Sequence, residues 1–566
     1  MRVLTCVGAI VSALLLHSAD AHGHKMRLRP PPPQEDDEAM LAVARAQGTI
    51  QNGTFQQLLD HKNPHLGTFS QRYWYNAEWW AGPGAAAPDE SDGWDGYVGN
   101  TTQSFEFAKT NKAAVLALEH RYYGESSPFQ NLTTTNLQHL TLDNAIQDIV
   151  YFANNVVLPF DKKRTSSPDK APWVLTGCSY AGALSAWVQR LAPGTFWAYH
   201  CSSAVVEAIS DFWQYYEPIE AGMPKNCSSD LKTAVAHIDK ALASGDAKAG
   251  YNLKKQFGLE TFANNDFSEA VKTGVGYWQS LSFKSSWHNP FYDFCDYIEY
   301  ARDSSTCHRE SSPSAQRRPN HNVFPEAKNN SKSHTQLPGP EGVGLNKALH
   351  GFARWSNEVL VPNYCSYFPY WQNQGNYSLE CFDFNNPQNP TYRDTSVENS
   401  AGQRQWVWLG CNEPFEWWLV SGPAGQDTGL VSRFLDVNYK RAMCKNYFPR
   451  EGNNTYGLDA GRTGDMVNKK TNGWDVGKTE RVMWVGGEFD PWRSATVLAD
   501  RRPGGPLQST PETPAWIVPK ATHCSDIHIK NVRANAELSR IFDEMVAKMK
   551  SWVDDFYVSK GRSPPT

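Results

Sequence analysis

The stretch WVLTGCSYAGALSAW, Trp173 to Trp187, decides how the rest of the chain is read. An apolar run ends in Gly177, Ser179 follows two residues later, and the small residues beyond it have helical spacing. A nucleophilic serine needs a sharp strand-to-helix turn that lifts its oxygen clear of a sheet, and small neighbours make that turn possible. Gly177-Cys178-Ser179-Tyr180-Ala181-Gly182 fits with one departure. Ala181 stands where the last glycine of Gly-x-Ser-x-Gly is expected, and the glycine comes one residue later. Taken alone this is a weak motif, and a turn serine is the competing reading.

Working outward, KAAVLALEH (Lys112–His120) has the pattern of a buried strand, and TLDNAIQDIVYFANNVV (Thr141–Val157) that of a helix capped by Thr141. APWVLTG (Ala171–Gly177) is the next strand, and AGALSAWVQRLA (Ala181–Ala192) the next helix. Near the C-terminus RVMWVGG (Arg481–Gly487) and PAWIVP (Pro514–Pro519) are short apolar strands, and Val532–Phe556 is a closing amphipathic helix. Strands separated by helices predict an α/β fold with a mostly parallel sheet covered on both faces. The middle, 206–471, differs. It is rich in aromatics and in amphipathic segments such as SSDLKTAVAHIDKALASG, and it carries a polar stretch at Asp303–Leu345 that reads as a long loop. The expected organisation is a core of residues 46–205 and 472–566 interrupted by a helical insert at 206–471.

A serine nucleophile needs a base and an acid at later strand ends. VMWVGGEFDPW places Asp490 just past one strand, and WIVPKATHCSD places His523 just past the next. The order Ser179, Asp490, His523 is that of α/β-hydrolases. In this reading His523 takes the serine proton and Asp490 orients the imidazole. Glu488 is a rival acid and His528 a rival base, while His120 reads as a surface or supporting histidine.

Hydrophobic residues make up 40 % of the 566-residue chain and charged residues 20 %, with a net charge of −5 and 21 tryptophans. Such a charge gives no reason to expect nucleic acid. Residues 1–21 have a short positive start, an apolar run and an Ala19-Asp20-Ala21 cleavage site, the signature of a secretory signal peptide. Residues 22–45, with RLRPPPPQEDDE, read as a disordered leader or propeptide. No later stretch reaches the roughly 20 apolar residues of a membrane span. Acceptor sequons at Asn52, Asn100, Asn131, Asn226, Asn329, Asn376 and Asn453 agree with export. Of 11 cysteines, Cys6 leaves with the signal, and an oxidising compartment would allow the other ten to pair. Their spacing is not that of a zinc site, so no metal and no cofactor is expected. A working triad brings Ser179 and His523 together, so their neighbours Cys178 and Cys524 become candidates for a disulfide. Two free thiols, or a pairing with Cys201, are the alternatives.

EHRYYGESSP (Glu119–Pro128), the serine turn, GGEFDPW and ATHCSD together resemble the prolyl carboxypeptidase and dipeptidyl peptidase II family of serine peptidases, in particular its secreted fungal branch. TFSQRYWYNAEWWAGPG (Thr68–Gly84) and RQWVWLGCNEPFEWW (Arg404–Trp418) resemble it as well. The resemblance implies an α/β-hydrolase core with a helical cap between the Ser and Asp segments. It implies cleavage after proline, usually at acid pH, on proline-containing peptides or proteins. It assigns the triad to Ser179, Asp490 and His523, one oxyanion position to the Tyr180 amide, and a wall of the proline pocket to Trp492. Some relatives carry methionine where this chain has Ala183, which widens the pocket or leaves it to be filled from elsewhere. Glu413 is a candidate amine contact, with a structural salt bridge as the competing reading. A carboxylesterase or lipase with the same triad, and a catalytically dead binding protein on this scaffold, are the alternative functions.

One segment departs from the family pattern. Relatives have an apolar strand and an oxyanion loop shortly after the Trp-Ala-Gly-Pro-Gly segment, whereas this chain reads WWAGPGAAAPDESDGWDGYVGN, Trp79 to Asn100. Ala85–Ala87 is too short for a strand, and Pro88–Gly93 has turn chemistry. The expectation is a shortened or mis-spliced chain that folds poorly or is nearly inactive despite its complete triad, unless another segment, near His120–Gly124, fills the gap.

Overall fold

Period-2 alternation places the sheet between two apolar layers. On strand β5 (Trp173–Cys178) the side chains of Trp173 and Leu175 join one buried cluster and Val174 the other. Strand β6 (Ala198–Ser202) sorts Tyr199 and Cys201 from Ala198 in the same way, and strand β9 (Val482–Gly487) sorts Trp484 from Met483 and Val485. A strand buried on both faces reads as a continuous apolar run, which is why these segments were legible. The computed structural model describes residues 48–82, 85–86, 95–284, 289–299, 338–367, 371, 379–400, 402–477 and 479–564. The expected signal and leader segments, Pro88–Gly93, Asn329, Asn376 and most of the Asp303–Leu345 stretch lie outside these residues.

The remaining strands are β1 (Ile50–Leu58), β2 (Thr68–Asn76), β3 (Ala85–Ala86), β4 (Ala114–Leu118) and β10 (Ala515–Val518), with β7 (Ile209–Asp211) and β8 (Glu416–Trp418) forming a separate parallel pair. The main sheet has the order β1-β2-β4-β3-β5-β6-β9-β10. Pairs β1–β2 and β2–β4 are antiparallel, and every later pair is parallel. One face is covered by helices Leu142–Asn155 and Tyr180–Leu191. The other is covered by helix Ala536–Ser559, whose Met545, Met549, Trp552 and Phe556 pack on Val174, Met483 and Val518. This is the α/β-hydrolase architecture. The chain leaves the sheet after Ser202 and returns at Val482, and the residues between supply the mostly helical cap.

Local chemistry sets the helix boundaries. Thr141 Oγ1 accepts from the Asn144 amide at the start of Leu142–Asn155. The single closing helix expected from Val532 is instead two, Ile529–Ala534 and Ala536–Ser559. Asn535 breaks the run because its side chain caps the second helix, accepting from the Leu538 amide at 2.9 Å.

The β3 position also corrects the expectation of no strand. Ala85–Ala86 do form one, paired with Ala114 and Val115 of β4 on one side and with Trp173 and Val174 of β5 on the other. Two residues suffice because both flanking strands offer backbone partners. The segment His120–Gly124 does not substitute for it. Instead Arg121, fully buried, grips Asp148 and the carbonyls of Leu58, Leu59 and His139. Among the described residues no strand pairs with Leu116–Leu118 or Leu175–Cys178 across the upper part of that slot. A cavity of about 30 Å³ lies nearby between the sheet and its covering helices, bounded by Leu118, Leu175, Ala145, Ile149 and Ser185.

Among the described residues, which exclude Cys307, four disulfides form, Cys178–Cys524, Cys227–Cys295, Cys365–Cys381 and Cys411–Cys444. Cys201 stays free, wholly buried on β6, where it packs as a small apolar side chain.

Three carboxyls in or beside the cap are pushed up by burial: Glu207 to about 7, Asp266 to about 6 and Glu299 to about 7. Each binds its proton more tightly folded than unfolded. Their stabilising contribution is therefore complete below the ordinary carboxyl range and is lost as pH rises through 6 to 7. His120 works the other way, because burial pushes it down to about 4, so its contribution is lost as pH falls from 6.5 towards 4. Lys440, pushed down by burial to about 7, acts in the same direction as His120 but only at the upper end of the window, so the thermal midpoint is expected to be higher at pH 5 than at pH 7.5. Combining Glu207→Gln, Asp266→Asn and Glu299→Gln should flatten that slope. Calorimetry at the two pH values checks it, and a wild-type midpoint that rises from pH 5 to 7.5 would show the balance to be wrong.

Candidate active site

Ser179 sits at the carboxyl end of β5, near the middle of the sheet, where α/β folds place their ligands. Its backbone has φ 61° and ψ −124°, outside the regions a serine normally adopts. Such a conformation costs about 1–3 kcal/mol and persists only where its surroundings impose it. Gly177 and Gly182 allow the imposition. A Cβ on Gly177 would meet the Ala181 carbonyl oxygen at 2.3 Å, and one on Gly182 would meet the Ser202 carbonyl oxygen at 2.6 Å. Ala181 is tolerated because the close approach to β6 falls on the next residue.

The three residues expected at strand ends converge. His523 Nε2 lies 2.9 Å from Ser179 Oγ, and His523 Nδ1 lies 2.9 Å from Asp490 Oδ1. All three are at most 1 % exposed. Asp490 Oδ1 also accepts from the Trp492 amide at 2.9 Å. The rivals point elsewhere. Glu488 Oε2 accepts from the Lys520 amide at 2.8 Å, His528 lies in a β-bridge with Thr102, and His120 packs its ring 5.9 Å from that of Tyr180. Serine, imidazole and carboxylate in one hydrogen-bonded line can move a proton from Oγ to the ring while the carboxylate stabilises the resulting charge.

Aromatic rings from core and cap meet beside this line. Trp492 lies 6.3 Å from His523, with Phe212 at 5.5 Å, Tyr215 at 5.3 Å and Trp417 at 6.4 Å. Trp417 in turn stacks on Phe415 and Trp406 with interplanar angles of 10°. Glu416 and Trp417 both have left-handed φ, 57° and 45°, which is strained for a bulky residue and aims this wall. The cap also holds the acid and base loops. Trp278 Nε1 donates to the Phe489 carbonyl, Gln279 Oε1 accepts from Trp492 Nε1 at 2.9 Å and from Tyr215 OH at 3.1 Å, and Thr522 Oγ1 donates to the Leu281 carbonyl. Sequence reasoning missed Phe212, Tyr215 and Gln279. A lone glutamine in a helical insert carries no signal, whereas Trp417 lay within a quoted motif.

Other expected residues fall differently. Ala183 is wholly buried one turn after Ser179, its amide donating to the Ser179 carbonyl at 3.0 Å. The Tyr180 amide opens the helix, where first-turn amides lack intrahelical acceptors. Glu413 is 6 % exposed, with Arg462 3.5 Å away and Asn412 donating to it at 3.2 Å. Burial raises its carboxyl above the ordinary range. These partners are those of the structural reading. Asn52, Asn100, Asn131 and Asn453 are exposed, and Asn226 is half-buried.

Comparison with known proteins now has a geometry to meet. The profile of the serine carboxypeptidase S28 family matches residues 56–310 and 350–541. The chain belongs to the serine carboxypeptidase S28 family. A serine protease of Bipolaris victoriae is 37 % identical over 519 residues, 90 % of each chain. A protein of Arthroderma benhamiae named a probable extracellular serine carboxypeptidase is 28 % identical over 464 residues, 80 % of this chain and 59 % of that one. The human thymus-specific serine protease is 30 % identical over 207 residues, 34 % of this chain and 39 % of that one. The molecule is therefore a serine peptidase built on the α/β-hydrolase fold.

In this S28 peptidase a disulfide joins Cys178, beside Ser179, to Cys524, beside His523, with Cα atoms 6.0 Å apart. Both sulfurs lie within 4.8 Å of a His523 nitrogen, but disulfide sulfur offers no thiolate to a metal. The bond spans 346 residues of sequence and ties the nucleophile turn to the histidine loop. Replacing both cysteines by serine is expected to lower stability by about 2–4 kcal/mol. Denaturant unfolding measures the loss, and a non-reducing peptide map that pairs Cys178 with another cysteine would refute the assignment.

Proposed function

We propose that the enzyme hydrolyses peptide bonds on the carboxyl side of proline, at acid pH, on peptides or proteins met along the secretory route or outside the cell. The reading is carried by the unbroken line Ser179–His523–Asp490 lying against the Trp492 ring. Ser179 Oγ attacks the carbonyl carbon of the scissile bond as its proton passes to His523 Nε2. Asp490 stabilises the imidazolium, and the Tyr180 amide receives charge developing on the carbonyl oxygen. His523 returns the proton to the leaving amine, and water then releases the acyl group by the same path reversed. A pyrrolidine ring is compact and apolar, and an aromatic wall of Trp492, Trp417 and Phe212 suits it. The proposed secretion and glycosylation rest on residues 1–21 and on the exposed sequons.

Ser179→Ala should abolish cleavage of a chromogenic peptide with proline before the scissile bond. His523→Ala should lose about as much, because residues acting as a unit are not additive. Wild type should prefer that peptide to its alanine analogue and to a short ester. Preference for the ester would favour a carboxylesterase, and failure of a fluorophosphonate probe to label Ser179 would favour a binding protein.

The short β3 bears on rate. A missing oxyanion donor costs about 10²–10³ in turnover. A relative's strand and loop inserted after Gly84 is therefore expected to raise turnover by about that factor. An unmodified chain already as fast as the insertion variant would refute the impairment.

A further inference from the structure

The motif ATHCSD supplied His523 and Cys524, but its last residue has no part in the chemistry proposed above. Asp526 is 2 % exposed, and both its oxygens are engaged. His200 Nε2 lies 3.0 Å from Oδ2, and Ser202 Oγ donates to Oδ1. His200 and Ser202 are two residues apart on β6, so they share one face of the strand, and both are fully buried. The Nδ1 atom of His200 meets no acceptor. The imidazole proton therefore sits on Nε2, where it donates to Asp526.

The place of β6 gives this contact meaning. It lies between β5, which ends at the nucleophile, and β9, which leads to the acid. Its end already holds the nucleophile turn, since the Ser179 amide donates to the Ser202 carbonyl at 2.9 Å. It also holds the loop after His523, since the Cys524 amide donates to Ser203 Oγ at 3.1 Å. Cys524 has φ 55°, a left-handed conformation that needs external restraint. The disulfide restrains it from the β5 side, and Asp526 ties the loop to β6 itself.

We infer that Asp526, clamped by His200 and Ser202, is a positioning residue that sets His523 against Ser179 by referring the histidine loop to the strand between the other two members. The inference rests on the triad proposed above. Misplacing a reacting group by about 1 Å can cost 10²-fold in rate. Asp526→Ala is therefore expected to lower kcat by about that factor with KM changed less than twofold. The rate constant for fluorophosphonate labelling of Ser179 should fall in parallel. Asp526→Asn keeps one acceptor and should lose less. His200→Gln, which places an amide donor near the same point, should retain most activity, whereas His200→Phe should behave like Asp526→Ala.

A structural anchor alone would lower stability without this pattern, so hydrogen exchange is measured on the same proteins. Faster exchange confined to residues 519–530 supports positioning. Faster exchange throughout the molecule, or a kcat within threefold of wild type in Asp526→Ala, overturns it. If Asp526→Ala does not fold, Asp526→Asn and His200→Phe decide by the same two readouts. If wild type itself fails to label, the nucleophile assignment falls, and the exchange comparison alone supports or overturns the tether.

Discussion

The hydrogen bond from the Ser179 amide to the Ser202 carbonyl, 2.9 Å long, holds a serine in a conformation it would otherwise leave. Much of the site follows from it. The turn brings helix Tyr180–Leu191 against β6 so closely that residue 182 has no room for a side chain. That closeness places Ser179 Oγ at the crest of the sheet. The strain of about 1–3 kcal/mol is small beside the apolar burial of the helix, nine of whose twelve residues are buried. The fold can therefore hold the serine out of its preferred region indefinitely.

The acid and base loops lack such a turn of their own and are held from outside. The disulfide and β6 restrain His523 from below, and the cap restrains it from above through Thr522 and the Leu281 carbonyl. Asp490 is restrained through its neighbours, Phe489 by Trp278 and Trp492 by Gln279. The cap is thus part of the scaffold that aligns the triad as well as a wall of the cleft. A cap movement large enough to break the Gln279 contact would shift Trp492, whose amide bonds Asp490. The position of the cap and that of Asp490 are linked through Trp492 in this arrangement.

The legible parts of the sequence were those where one physical requirement dominates. Strands β4, β5 and β9 are short apolar runs between polar turns, and burial on both faces demands such runs, while β10 at the sheet edge is a shorter, half-buried apolar run. Ser179, Asp490 and His523 could be placed because each follows such a run. The closing helix was misread across Asn535 because amphipathic spacing continues through the break, and only the cap hydrogen bond separates the two pieces. Asp526 stood in a quoted motif, but its partners His200 and Ser202 lie more than 300 residues away, and nothing local announces a buried carboxylate. Gln279 and the Trp406–Trp417 stack were illegible for the same reason. Gln279 meets the core across the cap boundary, and the tryptophan stack joins two segments of the cap, contacts that no periodicity encodes.

The slot at β3 lies across β5 from the line of Ser179, His523 and Asp490. Ser179, Asp490 and His523 are tied to one another, to β6 and to the Trp492 amide, while the loop after His523 also bonds the Thr101–Gln103 segment that follows β3. Strand β3 lies on the far side of β5 and touches only the first two residues of that strand, Trp173 and Val174. A buried backbone group of β5 left without a partner beyond that contact would cost about 1–3 kcal/mol. A change at β3 can therefore reach Ser179 along β5 and the histidine loop through the Thr101–Gln103 segment, so the two sides of the site are not independent of it.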